Sequence, residues 1–151
     1  MLKRTHIIIG VFVAMYFLPY MNNKLVFFPV VIIASLIPDI DSLIAPKKDY
    51  KIFKALKSQS YKDFMHSYTL CIFLSAILAI LYPIIALPFF LGYSFHLFFD
   101  SITVYGTNPF WPFKIKTKGF IVPGGKTEKF IEYLFGIFIL LLAFRYLFII
   151  G

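Results

Sequence analysis

Charge is scarce in this chain of 151 residues: Asp, Glu, Lys and Arg together make up 15%, against about 25% in an ordinary soluble domain. Hydrophobic residues reach 60% and aromatic ones 21%. So little polar surface cannot cover a water-exposed globule of this size, and a soluble domain is excluded. There is a single cysteine, Cys71, inside an apolar run, which excludes an intramolecular disulfide and an oxidised secreted scaffold. Three histidines, seven acidic residues and one tryptophan complete the list of scarce chemistry, so the position of each carries information.

What is abundant is apolar sequence long enough to span a bilayer, which takes about 20 residues at 1.5 Å of helical rise each. Five segments approach that length: 6–21, 25–45, 65–82, 83–105 and 130–150. They predict an all-α, polytopic helical bundle of five transmembrane helices, formed by one integral-membrane domain over residues 1–151. Lys3 and Arg4 precede the first segment as in a signal peptide, but no small-residue cleavage pattern follows, so the segment reads as a retained span. Gly119 to Lys126 looks briefly like a phosphate-binding loop. Five residues, not the four the motif needs, separate its first glycine from the Gly125-Lys126 pair, and Pro123-Gly124-Gly125 reads instead as a turn.

Of fifteen Lys and Arg residues, thirteen lie in the N-terminal tail and in the loops 46–64 and 106–129; only Lys24 and Arg145 lie elsewhere. By the positive-inside rule the N-terminus and both long loops face the cytoplasm. The protein is then a multi-pass component of the cytoplasmic (inner) membrane. The net charge of +8 reports orientation and attraction to anionic lipid, and nucleic acid is not an expected partner. The loop 46–64 is lysine-rich with Ile52, Phe53, Leu56 and Tyr61 interspersed, a pattern suited to an amphipathic helix on the membrane surface.

All three histidines, His6, His66 and His96, fall within or at the edge of the apolar segments, as do Asp39, Asp41 and Asp100. An Asp at membrane depth costs roughly 2.5–3.5 kcal/mol on the insertion scale, so each needs a partner or a function. Counted from the outer end of each span, the six lie about 20–26 Å in, close to one level near the cytoplasmic interface. Imidazole and carboxylate gathered at one level are the donors that bind zinc, manganese or iron. His96 and Asp100, four apart, share one helix face. Asp39 and Asp41 would diverge on a regular helix, but Pro38 loosens the chain so that both can turn toward one cavity. Taken singly, His6 and His66 also suit an interfacial position, and Asp39 and Asp41 a helix end.

The strings Thr5-His6 with Gly10, Leu36-Ile37-Pro38-Asp39-Ile40-Asp41, Met65-His66-Ser67, and Gly92-Tyr93-Ser94-Phe95-His96 leading to Asp100, Thr103 and Gly106 resemble the YdjM-like inner-membrane metal-dependent hydrolases. The resemblance runs in order from about Thr5 to Pro112. Through motif order it extends to the zinc-dependent phospholipase C and single-strand nuclease group. It implies His6, Asp39, Asp41, His66, His96 and Asp100 as ligands of two or more divalent ions, zinc first, with manganese or iron as alternatives. Family members usually carry a further His where this chain has Tyr61. Glu128 or Glu132 is a candidate to complete the shell.

Such a centre would acidify a water and hold phosphoryl oxygens through an in-line displacement. Asp41, or Asp39, would orient the water or act as base, and Ser94 and Thr103 would add supporting hydrogen bonds or bond a helix carbonyl. At headgroup depth the expected substrate is a phospholipid or related lipid phosphoester, drawn in by Lys114, Lys116, Lys118 and Lys126. Two other classes fit the same polar residues: a metal-ion or proton transporter, and a noncatalytic membrane adaptor with a structural metal.

Overall fold

The computed structural model describes residues 1–40, 63–113 and 115–150. Among these the regular elements are helical: α1 (Lys3–Phe17), α2 (Lys24–Ala34), α3 (Tyr68–Leu81), α4 (Pro83–Ser101) and α5 (Lys126–Arg145). Short 3-10 turns follow at Leu18–Tyr20 and Ile37–Asp39, and a π-helical turn, Tyr146–Ile150, extends α5. Two isolated bridges, Thr103 with Ile121 and Thr107 with Thr117, knit the segment between α4 and α5 without forming a strand.

Local sequence sets most helix ends. Pro19 lies in the 3-10 turn that ends α1, and Asn22-Asn23 precede α2. Pro38 has no N–H to donate to the Ala34 carbonyl, and α2 stops at Ala34, giving way to the 3-10 turn. Ser67 caps α3 by accepting from the Leu70 N–H at 3.2 Å. Pro83 occupies the first position of α4, where its missing N–H costs nothing. The turn predicted at Pro123-Gly124-Gly125 is present, closed by the Gly125 N–H on the Val122 carbonyl at 2.9 Å, with Gly124 at φ +77°.

Two of the described helices are long and apolar enough to cross a bilayer: Pro83–Ser101, with 19 residues, and Lys126–Phe148, with 23. The other three have 15, 11 and 14 residues, or about 22, 17 and 21 Å of helical rise against about 30 Å of hydrocarbon. Five full-length spans are therefore not what the described helices supply, because proline-containing turns shorten the first two segments. The fourth segment ends at Ser101 rather than Tyr105, and the fifth begins at Lys126 rather than Phe130, which brings Glu128 and Glu132 into a helix. The end of the second segment and most of the basic loop 46–64 lie outside the described residues, as do Asp41, Tyr61 and Lys114.

Helix α4 is central, packing against α1, α2 and α3, while α5 lies against α1 at the periphery. One apolar cluster joins Ile9, Val13 and Ala14 to Phe27, Val31 and Phe99, and a second joins Ala34 to Cys71, Phe89, Tyr93 and Leu97. Cys71 is fully buried in this second cluster, as its apolar run implied. Lipid tails are as apolar as leucine, so helices in a bilayer associate through close packing, and small residues make it possible. A Cβ at Gly92 would overlap the Val31 carbonyl oxygen and come within 2.9 Å of Ala34 Cβ. A Cβ at Gly10 would sit 2.7 Å from Ser35 Oγ. These two glycines bring α4 and α1 against the same end of α2.

Gly92→Val is expected to destabilise the protein by about 1–3 kcal/mol through forced separation of α4 from α2. Gly136→Ala, where a Cβ meets nothing within 4 Å, is expected to be neutral or slightly stabilising. Thermal unfolding in detergent micelles compares the two; equal stability would exclude close packing at Gly92 as a determinant of the fold.

Candidate metal centre

Five of the six predicted ligands come together at one end of the bundle. His6 arrives from the first turns of α1, Asp39 from the 3-10 turn after α2, His66 from the residues leading into α3, and His96 and Asp100 from one face of α4. His6 Nε2 lies 3.2 Å from Asp100 Oδ1. His96 Nε2 and His66 Nε2 lie 3.3 and 3.5 Å from the other oxygen, Oδ2. His66 Nε2 is also 3.4 Å from Asp39 Oδ1. The rings of His6 and His96 stack with centroids 3.7 Å apart, and His66 stands tilted beside His96 at 5.5 Å.

These separations match ligand spacing around an ion. Four donors placed tetrahedrally at 2.0–2.1 Å from zinc are separated by about 3.3–3.4 Å. The donors form two overlapping groups, His6 with His96 and Asp100, and Asp39 with His66 and His96, the ligand atoms of each lying within 4.8 Å of one another. His96 belongs to both. Asp100 turns one oxygen toward His6 and the other toward His66 and His96, a disposition suited to a carboxylate shared between adjacent ions.

Buried nitrogens that make no hydrogen bond support the same assignment. His6 Nε2 and His96 Nε2 are buried and make no hydrogen bond among the described residues, although a buried polar atom left so costs about 1–3 kcal/mol. His96 Nδ1, by contrast, is held 2.7 Å from the carbonyl of Ser35. A carbonyl only accepts, so Nδ1 carries the proton and Nε2 keeps its lone pair for an ion. The α-ammonium of Met1 lies 2.6 Å from Asp100 Oδ1, so a positive charge already stands against this carboxylate.

The remaining candidates have other work. Glu128 is completely buried, and its carboxylate accepts from the Leu2 N–H at 2.6 Å, from Thr5 Oγ1 at 2.7 Å and from the Gly124 N–H. It clamps the start of α1 onto the turn before α5, one residue from His6. Glu132 accepts from Arg4 Nε at 2.8 Å and contacts Thr5 Oγ1 at 2.7 Å. Thr103 Oγ1 donates to the Asp100 carbonyl and Ser94 Oγ to the Leu91 carbonyl, the helix-carbonyl alternative in both cases. Lys116 and Lys118 are exposed on the segment between α4 and α5, and Lys126 is exposed at the start of α5.

Sequence reasoning missed the carbonyl that orients His96, because every residue has one. It also missed the clamp at Glu128, whose partners Leu2 and Thr5 lie more than a hundred residues away. A usable signal was present: Gly92 stands four residues before His96, so the surface that meets α2 and the surface that carries the imidazole are the same.

Glu128→Ala is expected to leave three donors without their acceptor and to cost about 2–4 kcal/mol. Hydrogen exchange should accelerate first at the amides of Leu2 to His6, and Glu128→Gln should retain part of the protection. Unchanged exchange in Glu128→Ala would remove the clamp.

No curated protein and no solved structure matches the chain. The family model described as YdjM inner membrane protein matches residues 1–150. With a membrane-embedded composition, two helices able to span and a His/Asp cluster at one end of them, the chain belongs to the YdjM inner membrane protein family.

Proposed function

We propose that this protein is a membrane-embedded, metal-dependent hydrolase that cleaves a phosphoester in a phospholipid or related lipid. The observation that carries the reading is the convergence of three imidazoles and two carboxylates at 3.2–3.5 Å, two imidazole nitrogens among them buried without a hydrogen bond. His6, Asp39, His66, His96 and Asp100 would hold the ions, with Asp41 as the sixth candidate. Zinc suits this donor set best, manganese and iron also accept it, and the two oxygens of Asp100, turned toward different histidines, favour two or more ions. When bound, such ions supply Lewis acidity and a water of lowered pKa.

The chain's own residues do the rest. Ser35 fixes the tautomer and plane of His96. The Glu128 clamp sets the register of α1 and with it the position of His6. Asp39, on the turn that contains Pro38, or Asp41 would take the proton of an attacking water. With the N-terminus in the cytoplasm, the centre would lie at the headgroup level of the inner leaflet. A lipid phosphate then reaches it from the side, drawn by Lys114, Lys116, Lys118 and Lys126.

Transport is the weaker reading because a pathway needs polar groups through the whole bilayer. Beyond the cluster, the buried residues of α1 and α2 toward the other end are Ile9, Gly10, Val13, Ala14, Phe27 and Val31. A noncatalytic adaptor would show an ion fully coordinated by protein, without an open position.

Metal analysis of the purified protein beside His96→Ala and Asp100→Ala is expected to find zinc or manganese in the wild type and little in either variant. A screen of phospholipids and generic phosphodiesters with added zinc, manganese or cobalt should reveal hydrolysis that falls roughly a hundredfold or more in both variants. Negligible metal in all three proteins, or turnover that survives Asp100→Ala, would overturn the proposal.

A further inference from the structure

At the opposite end of α1 and α5 from the His/Asp cluster lies a cavity of about 230 Å³ lined by Tyr16, Pro19, Tyr20, Leu142, Arg145 and Tyr146. Arg145 is about 26 Å along α5 from Glu128, close to one hydrocarbon thickness. It is one of only two cations, with Lys24, outside the basic tail and loops. No acidic residue lines the cavity, and Arg145 makes no ion pair among the described residues.

The surroundings of this guanidinium are chosen for an anion with an apolar body attached. The Tyr146 hydroxyl donates to the Met15 carbonyl at 3.0 Å, which fastens the end of α5 to the end of α1 and holds the cavity open between them. Tyr16 and Tyr20 are exposed, with no hydrogen bond from either hydroxyl among the described residues, so two phenol donors stand beside the guanidinium. Leu142 and Pro19 supply the apolar wall. A guanidinium presents a planar fork that matches phosphate oxygens in pairs, and tyrosines favour the membrane interface, where one end of the ring is wet.

We propose that this cavity binds the phosphate of an anionic phospholipid in the leaflet facing away from the His/Asp cluster. The lipid is held as a fixed companion of α1 and α5, and the site stands independently of any hydrolytic activity. Its phosphate pairs with Arg145 and accepts from Tyr16 and Tyr20, and its acyl chains continue down the exposed face of α5.

The test uses the full-length protein reconstituted into mixed vesicles of phosphatidylcholine and phosphatidylglycerol, re-extracted into mild detergent, with retained lipid read by native mass spectrometry. The wild type is expected to keep phosphatidylglycerol. Arg145→Gln should lower its retention roughly tenfold or more, the scale of losing a charge-assisted bond. Arg145→Lys, which keeps the charge without the fork, should fall between, and it decides the matter if Arg145→Gln fails to fold. Lys24→Gln, removing the other cation at this end, should change nothing. Equal retention in wild type and the Arg145 variants overturns the site, and an equal loss in Lys24→Gln reduces it to diffuse attraction. Displacement of the lipid by excess glycerol 3-phosphate would overturn the assignment to a lipid.

Discussion

The arrangement depends on how closely α1 and α4 approach the last turn of α2. Gly10 and Gly92 remove the side chains that would hold these helices apart, and Ser35 lies where they meet. Its carbonyl, no longer needed for a continuing helix, accepts a hydrogen bond from the Nδ1–H of His96. One packing contact thus joins three helices and sets the tautomer of an imidazole. In a bilayer, where apolar surface alone does not sort helices, such contacts carry the specificity that a hydrophobic core supplies in water.

Burial and chemistry are linked through the same economy. The cluster concentrates imidazole and carboxylate at one end of an otherwise apolar interior, where charge is expensive unless compensated. Asp100 is approached by His6, His66, His96 and the Met1 ammonium, so its charge is surrounded by donors or cations on both oxygens. Glu128 is compensated differently, by two backbone N–H groups and a hydroxyl. Two carboxylates close together in the fold therefore serve separate ends: one faces the prospective ion, the other locks the helix that brings His6 to it.

Much of this was legible from residue patterns. Counting residues along each apolar segment put His6, Asp39, His66, His96 and Asp100 at one depth, and the fold brings those five together. The spacing of His96 and Asp100 already required a common helix face. Five uniform spans did not follow, because Pro19 and Pro38 turn the chain before α1 and α2 reach full bilayer length. Glu128 was misplaced for a related reason: the fifth helix starts earlier than its apolar run, so the residue became a helical clamp rather than a loop ligand.

Sequence by itself determined the membrane environment, the helical class, the inventory of possible ligands and their common level, because each follows from composition and from distance along a helix. Only the tertiary structure decided which atoms meet. It assigned Nε2 rather than Nδ1 of His96 to the site, turned the two oxygens of Asp100 in different directions, and withdrew Glu128, Ser94 and Thr103 into structural bonds. Those outcomes depend on helix rotation and on backbone groups common to every residue, which a sequence does not distinguish until close packing at Gly10 and Gly92 fixes them.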